Sequence, residues 1–188
     1  MIKIKDLEIK RSSNSGEPLP AGGYVAKILD ASISTYSWGE VLVFSFDIVE
    51  GEYTEFFKNK YLEDTNENKK WKGTFRLTIP QEDNQYYDSQ KRKFGNAIAC
   101  IEESNPKYAW NGDERKLKDN YVGVLFRNYE YDVDGRQGWT TECCSFTSVD
   151  EIREKKFKMP KDKPLKKQPE SPAAMFADIK NIENELPF

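Results

Sequence analysis

The feature that most constrains this chain is the two-residue alternation in EVLVFSFDIVEG, where Leu42, Phe44, Phe46 and Ile48 fall on one face. Four large apolar groups on one side of an extended segment must be buried, so the pattern predicts a strand in a β-rich core. The preceding GYVAKILDASIST is rich in Val, Ile and Tyr. It is joined to the first segment by TYSWGE, and Gly39 in that short link predicts an antiparallel hairpin with Tyr36 and Trp38 beside its turn. EFFKNKYLED is a third strand candidate. KKWKGTFRLTIP is a fourth, with Trp71, Phe75, Leu77 and Ile79 turned inward and Lys72, Thr74, Arg76 and Thr78 outward.

Character changes at QEDNQYYDSQKRKFGNAIACIEESNP. Here Tyr87, Phe94, Ile98 and Ile101 recur at helical intervals, Asp83 or Asn84 offers an N-cap, and Asn105-Pro106 offers a stop. Two further strands, NYVGVLFRNYEYDV and GRQGWTTECCSFTSV, meet at Val133-Asp134-Gly135, a strong hairpin signal. The order of strands, helix and strands is that of a mainly β, antiparallel five-stranded barrel of the oligonucleotide/oligosaccharide-binding (OB) kind, with its helix between strands 3 and 4. Residues 1–17 then read as an N-terminal arm and 18–150 as the OB-like domain. Residues 151–188, dense in Lys, Glu and Pro, read as a disordered, flexible tail unable to offset its own ordering entropy.

Missing residue types narrow the chemistry. There is no histidine, so imidazole acid–base catalysis and His-activated nucleophiles are excluded. Cys100, Cys143 and Cys144 lack the spacing of a zinc site and form no disulfide framework, and they read as small, wholly or partly buried side chains in a reducing compartment. No phosphate-cradling glycine motif occurs. No stretch approaches the roughly 20 apolar residues of a membrane span. The expectation is a cytoplasmic binding protein, not an enzyme, with no cofactor and no metal.

One strip mixes cations with rings: Lys58, Lys60, Tyr61, Lys69, Lys70, Trp71, Lys72 and Arg76. Tyr36 and Trp38 on the first hairpin, and Arg127, Tyr129, Arg136 and Trp139 on the last, repeat the mixture. Cations that track phosphates and rings on which bases stack are the ingredients of a groove for single-stranded nucleic acid, each stack contributing about 1–3 kcal/mol. The net charge of −3 confines any such affinity to a local patch. At the C-terminus, Glu183, Glu185, Leu186, Pro187 and Phe188 combine acids, a rigid turn and a ring beside a free carboxylate, the handles of a terminal peptide-recognition mode.

The terminal ENELPF resembles the acidic tip of bacterial single-stranded DNA-binding proteins, with Glu183 and Glu185 in place of an aspartate run and Leu186 in place of Ile. PAGGYVAKI, VLVFSFDIVEGEY and KRKFGNAIACIEESNP resemble small phage-encoded single-strand binders of replication and recombination modules, regarded as OB folds. The resemblance implies sequence-independent coating and protection of single-stranded DNA in the host cytoplasm. It also implies recruitment of replication, recombination and repair proteins through the tip. MIKIKDLEIK suits either a strand shared in a homodimer or an arm across the groove.

Two other classes remain open. Glu130, Asp132 and Asp134 alternate along one strand with Glu142 across the hairpin, which could hold Mg²⁺ for a nuclease acting on recombination intermediates. An aromatic barrel face could also serve a protein-interaction or inhibitor module.

Overall fold

A computed structural model describes residues 17–165. β1 (Gly22–Tyr36), β2 (Gly39–Ile48), β3 (Thr74–Thr78), β4 (Tyr121–Val133) and β5 (Arg136–Thr147) form one antiparallel five-stranded sheet in the order β3-β2-β1-β4-β5. β4 returns to lie beside β1, which makes the first four strands a Greek key. β3 and β5 stand at the two ends of this order, so the sheet is open and its ladder does not close into a barrel. The edges nevertheless approach, with the Phe75 and Phe146 ring centroids 4.5 Å apart.

β1 divides its pairing. Gly22–Lys27 face β4 and Ala26–Tyr36 face β2, with overlap only at Ala26 and Lys27. The register slips between Ile28 and Asp30, a bulge that changes which residues point inward. Ala26 and Ile28 are buried before it and Ala31 after it, while Leu29 is left exposed. Opposite them, Leu42, Phe44, Phe46 and Ile48 are buried as their alternation requires, meeting Ile33, Ala31, Ile28 and Ala26. Phe126, Val124 and Phe146 complete the core from β4 and β5. Both hairpin turns fall where the sequence placed them. Gly39 has φ 141°, and Asp134 and Gly135 have φ 53° and 75°, the paired positive values of a tight two-residue hairpin loop.

The third strand candidate is instead a helix, α1 (Phe56–Glu63). Its cap comes from β2, outside the segment itself. The buried Asp47 carboxylate accepts from the N–H groups of Phe57 at 3.0 Å and Lys58 at 3.0 Å, as well as from its neighbour Ile48 at 2.9 Å. Two of the N–H groups that a helix start leaves orphaned are thereby satisfied, and Phe57 is drawn into the core. The β-like composition of EFFKNKYLED is overruled by this long-range cap.

α2 (Tyr87–Ser104) is the expected helix, lying between β3 and β4 and burying Ala97, Ile98 and Ile101. Neither Asp83 nor Asn84 is its N-cap, because it starts later, behind Tyr86. Its end matches expectation. Asn105 donates to the Ile101 and Tyr121 carbonyls, both at 2.7 Å, and accepts from Tyr121 N–H, tying the helix to the start of β4.

Part of the segment assigned to the tail lies on the sheet. Ser148 caps α3 (Val149–Arg153), and Ile152 sits over the seam between β1 and β4. A Cβ on Gly23 or Gly123 would lie 2.6 or 2.7 Å from the Ile152 side chain, so any larger residue beneath it would force its neighbours to shift. Lys163 then pairs in parallel with Tyr129 on the part of β4 that β1 does not cover. Residues 1–16 of the 1–17 arm and the tail from 166 onward, including the tip, lie outside the described residues. No helix among the described residues is long and apolar enough to cross a membrane.

Removing the Asp47 carboxyl strands buried donors, so Asp47→Ala should lower the unfolding free energy by about 3 kcal/mol in urea titration. Burial holds this carboxyl above its ordinary value, against the pull of the three N–H donors. The folded chain therefore binds a proton there more tightly than the unfolded chain. The stability linked to this proton is full below the unfolded value and is lost as pH rises through the folded one. Asp47→Asn should remove that part of the pH slope.

Candidate functional site

The unladdered seam between β3 and β5 holds a groove of about 530 Å³. Its floor is apolar, from Leu19, Phe57, Phe75 and Phe126, and its walls carry Lys60, Lys72, Arg76, Arg127 and Lys163. Each cation has a distinct origin. Lys60 comes from α1, Lys72 from the approach to β3, Arg76 from β3, Arg127 from β4 and Lys163 from the segment paired to β4.

Their pairing states differ. Arg127 donates to Glu142 through Nε at 2.9 Å and an Nη at 2.6 Å, and Lys163 Nζ lies 3.3 Å from the same carboxylate. At this end of the groove two cations share one carboxylate. At the other end, neither Lys72 nor Arg76 has a carboxylate partner within 4.0 Å among the described residues. Lys60 gives its Nζ to the Glu17 carbonyl at 2.6 Å, and it titrates below its ordinary value through burial and then through repulsion by Lys72. Glu63 acts on Lys60 in the opposite sense, and the Asp64 carboxyl is lowered by its Asn66 hydrogen bonds and then by Lys72, so the favoured place for an anion is the groove side of these lysines, toward Arg76.

The sequence strip splits between this groove and its flank. Lys60, Lys72, Arg76 and Arg127 line it. Tyr61 and Lys70 line an adjoining hollow of about 340 Å³ that shares Lys60 and Lys72. Lys58 is paired with Glu55. Lys69 lies 4.6 Å over the Tyr61 ring, whose centroid is 5.9 Å from that of Trp71. Trp71 is half-buried, and its indole N–H donates to the carbonyls of Phe46 and Gly73, both at 3.1 Å. That geometry makes it a strut between β2 and the start of β3.

The remaining predicted residues lie elsewhere. Tyr36 and Trp38 stack on each other at the β1–β2 turn, with centroids 5.2 Å apart and planes 9° from parallel, and Trp38 is 59% exposed. Tyr129 faces Lys163, while Arg136 and the 51% exposed Trp139 lie on the outer part of the β4–β5 hairpin. That hairpin extends past Gly22, the β1 end away from Tyr36, so its rings and the Tyr36–Trp38 stack leave the shared β1–β4 ladder from opposite ends.

Lys163, Lys93 and Gln90 were not anticipated. Lys93 belongs to QKRKF on α2, a helix read from its apolar face alone. Lys163 belongs to a stretch whose Lys/Pro content concealed its pairing.

The acidic set does not converge. Glu142 pairs with Arg127, Glu130 accepts from Leu165 N–H, and Asp132 accepts from Gly135 N–H and the Gln137 side chain. Among the described residues no group of three or more Cys, Asp or Glu side chains is placed to hold a metal ion. Cys144 is the extra residue of a second bulge, opposite Leu125 and Phe126, and burial pushes both vicinal thiols up, away from reactive thiolate.

The chain matches no protein-family model and no curated protein sequence.

Since Trp71 is placed as a strut, its loss should register as stability. Trp71→Ala should lower the unfolding free energy by about 3 kcal/mol and Trp71→Phe, which keeps one ring and loses the N–H donor with the rest of the indole, by about 2 kcal/mol, read by urea denaturation.

Proposed function

We propose that this protein binds single-stranded DNA without sequence preference through the β3–β5 groove, and that it coats and protects such strands. The observation that carries the reading is that Lys72 and Arg76 have no carboxylate partner within 4.0 Å among the described residues at one end of the groove, beside a Lys60 depressed by burial and then by Lys72. A phosphodiester there gains direct ion pairs and relieves the repulsion. Exposed rings at both hairpins add stacking surfaces whose contribution is insensitive to salt.

The fold supports the same reading. A Greek-key sheet of five strands with a helix between the third and fourth, its end strands in ring contact, is compatible with a partly open barrel of the OB kind. In OB folds the face of strands 2 and 3 and the loops joining strands 1–2 and 4–5 bind oligonucleotides. Here those loops carry the Tyr36–Trp38 stack and the Asp134-Gly135 turn. The resemblance to phage single-strand binders extends the proposal to replication and recombination in a bacterial cytoplasm, with the terminal Leu186-Pro187-Phe188 recruiting partner enzymes. No observation favours the nuclease or inhibitor readings over this one.

Tryptophan fluorescence titration with an oligo-thymidine strand at several salt concentrations tests the binding. The double variant Lys72→Glu, Arg76→Glu should bind at least about tenfold more weakly and flatten the log–log salt slope by roughly 1.4, while melting as the parent does. Unchanged affinity would remove the groove from the mechanism.

Deleting residues 186–188 should leave strand affinity intact while abolishing co-purification of replication and repair enzymes from the host. Retained recruitment would reduce the terminus to an ordinary chain end.

A further inference from the structure

A second cavity, of about 600 Å³, continues the groove past Phe75, Arg76 and Cys144 and is closed on its far side by α2. We infer that it is a pocket for one nucleobase of the bound strand, met by the side-chain amide of Gln90. The inference rests on the strand-binding reading above and names a site within it.

The observation that points to a ligand is an orphaned acceptor. Gln90 stands in the first turn of α2, and its Oε1 is buried with no hydrogen-bond partner among the described residues. Buried side-chain oxygens are nearly always paired, because leaving one unpaired forfeits the hydrogen bond it had to water. The Gln90 side chain lines the cavity alongside Ser89, Asn96 and Ser145, and turning its amide would carry the shielded Oε1 to that space. An incoming donor would complete it.

The chemistry of the walls selects the class of donor. A bare phosphate offers Oε1 only acceptors, and a hydrocarbon offers it nothing. A nucleobase carries an N–H donor next to an acceptor on its pairing edge, which a side-chain amide meets with its oxygen and its NH₂ together. Phe75 and Phe146 give the base flat apolar surface, and Tyr86, 61% exposed, stands at the rim. Arg76 on the groove side and Lys93 on α2 are placed for the flanking phosphates. Every base presents such an edge, so the pocket adds affinity without imposing a sequence. The volume lies within the range of small-molecule sites.

The experiment compares the protein with Gln90→Leu, which keeps side-chain volume and removes the amide. Both are titrated by fluorescence anisotropy against an oligo-deoxyadenosine strand and a fully abasic strand of equal length at low salt. Gln90→Leu should bind the base-bearing strand about tenfold more weakly and the abasic strand as well as the parent does. It should melt no lower than the parent, since it removes an unpaired buried acceptor. Equal loss on both strands, or no loss on either, overturns the base pocket while leaving strand binding in place. Failure of the parent to bind either strand overturns the strand-binding reading and this inference with it.

Discussion

The architecture depends on the divided pairing of β1. A strand laddered to β4 over its first half and to β2 over its second must bend where the partners change, and the bulge at Leu29 provides the bend. Without the slip, Ile33 and Ala31 would turn away from Leu42 and Phe44, and half of the β1–β2 interface would present its polar face to the core. With it, the two halves of the sheet curl toward one another until Phe75 meets Phe146. A second bulge at Cys144 bends the opposite edge in the same region. The groove is what remains between two edges that approach without hydrogen-bonding.

Asp47 links this sheet to the cations. It sits among the apolar residues of β2, one position from Phe46 and Ile48, and its carboxylate fixes the start of α1. The next turn of that helix carries Lys60 to the groove, where it meets Lys72 arriving on the strand that Trp71 anchors. The charged rim is therefore built on two buried hydrogen-bonding groups, one carboxylate and one indole. Substitutions at those groups act on the rim through position, whereas substitutions at Lys72 and Arg76 act on its charge.

What the sequence disclosed follows from the range of the interactions involved. Alternation in β2, the glycine-bearing turns and the Asn105 stop of α2 are written within a few residues, and each agrees with the structure. α1 was hidden because its cap lies in another element, so its Phe, Tyr and Lys content read as strand. The α3 signal was present in Ser148 and Glu151, with the Glu151 N–H donating to the Ser148 hydroxyl at 3.3 Å, but the Lys/Pro-rich composition that follows obscured it. For the site, residue types were legible and grouping was not. Lys60, Lys72 and Arg76 sit within one stretch of sequence, yet nothing local brings Arg127, Lys163 and Lys93 to the same seam.

The same cations admit a plainer role, since charged side chains on an edge strand deter edge-to-edge aggregation. Magnitude separates the two roles. β3 is only five residues long and its edge is already shielded by ring contacts with β5, so one outward charge such as Arg76 would suffice for protection. The chain instead gathers Lys60 and Lys72 beside it, where burial and then repulsion by Lys72 lower the Lys60 pKa. It also spends Glu142 on Arg127 and Lys163, leaving Lys72 and Arg76 at the other end of the groove without a carboxylate partner among the described residues. Protection against aggregation gives no reason to bear that repulsive cost at one end of a concave groove. An anionic ligand does, because its binding energy increases with the repulsion it relieves.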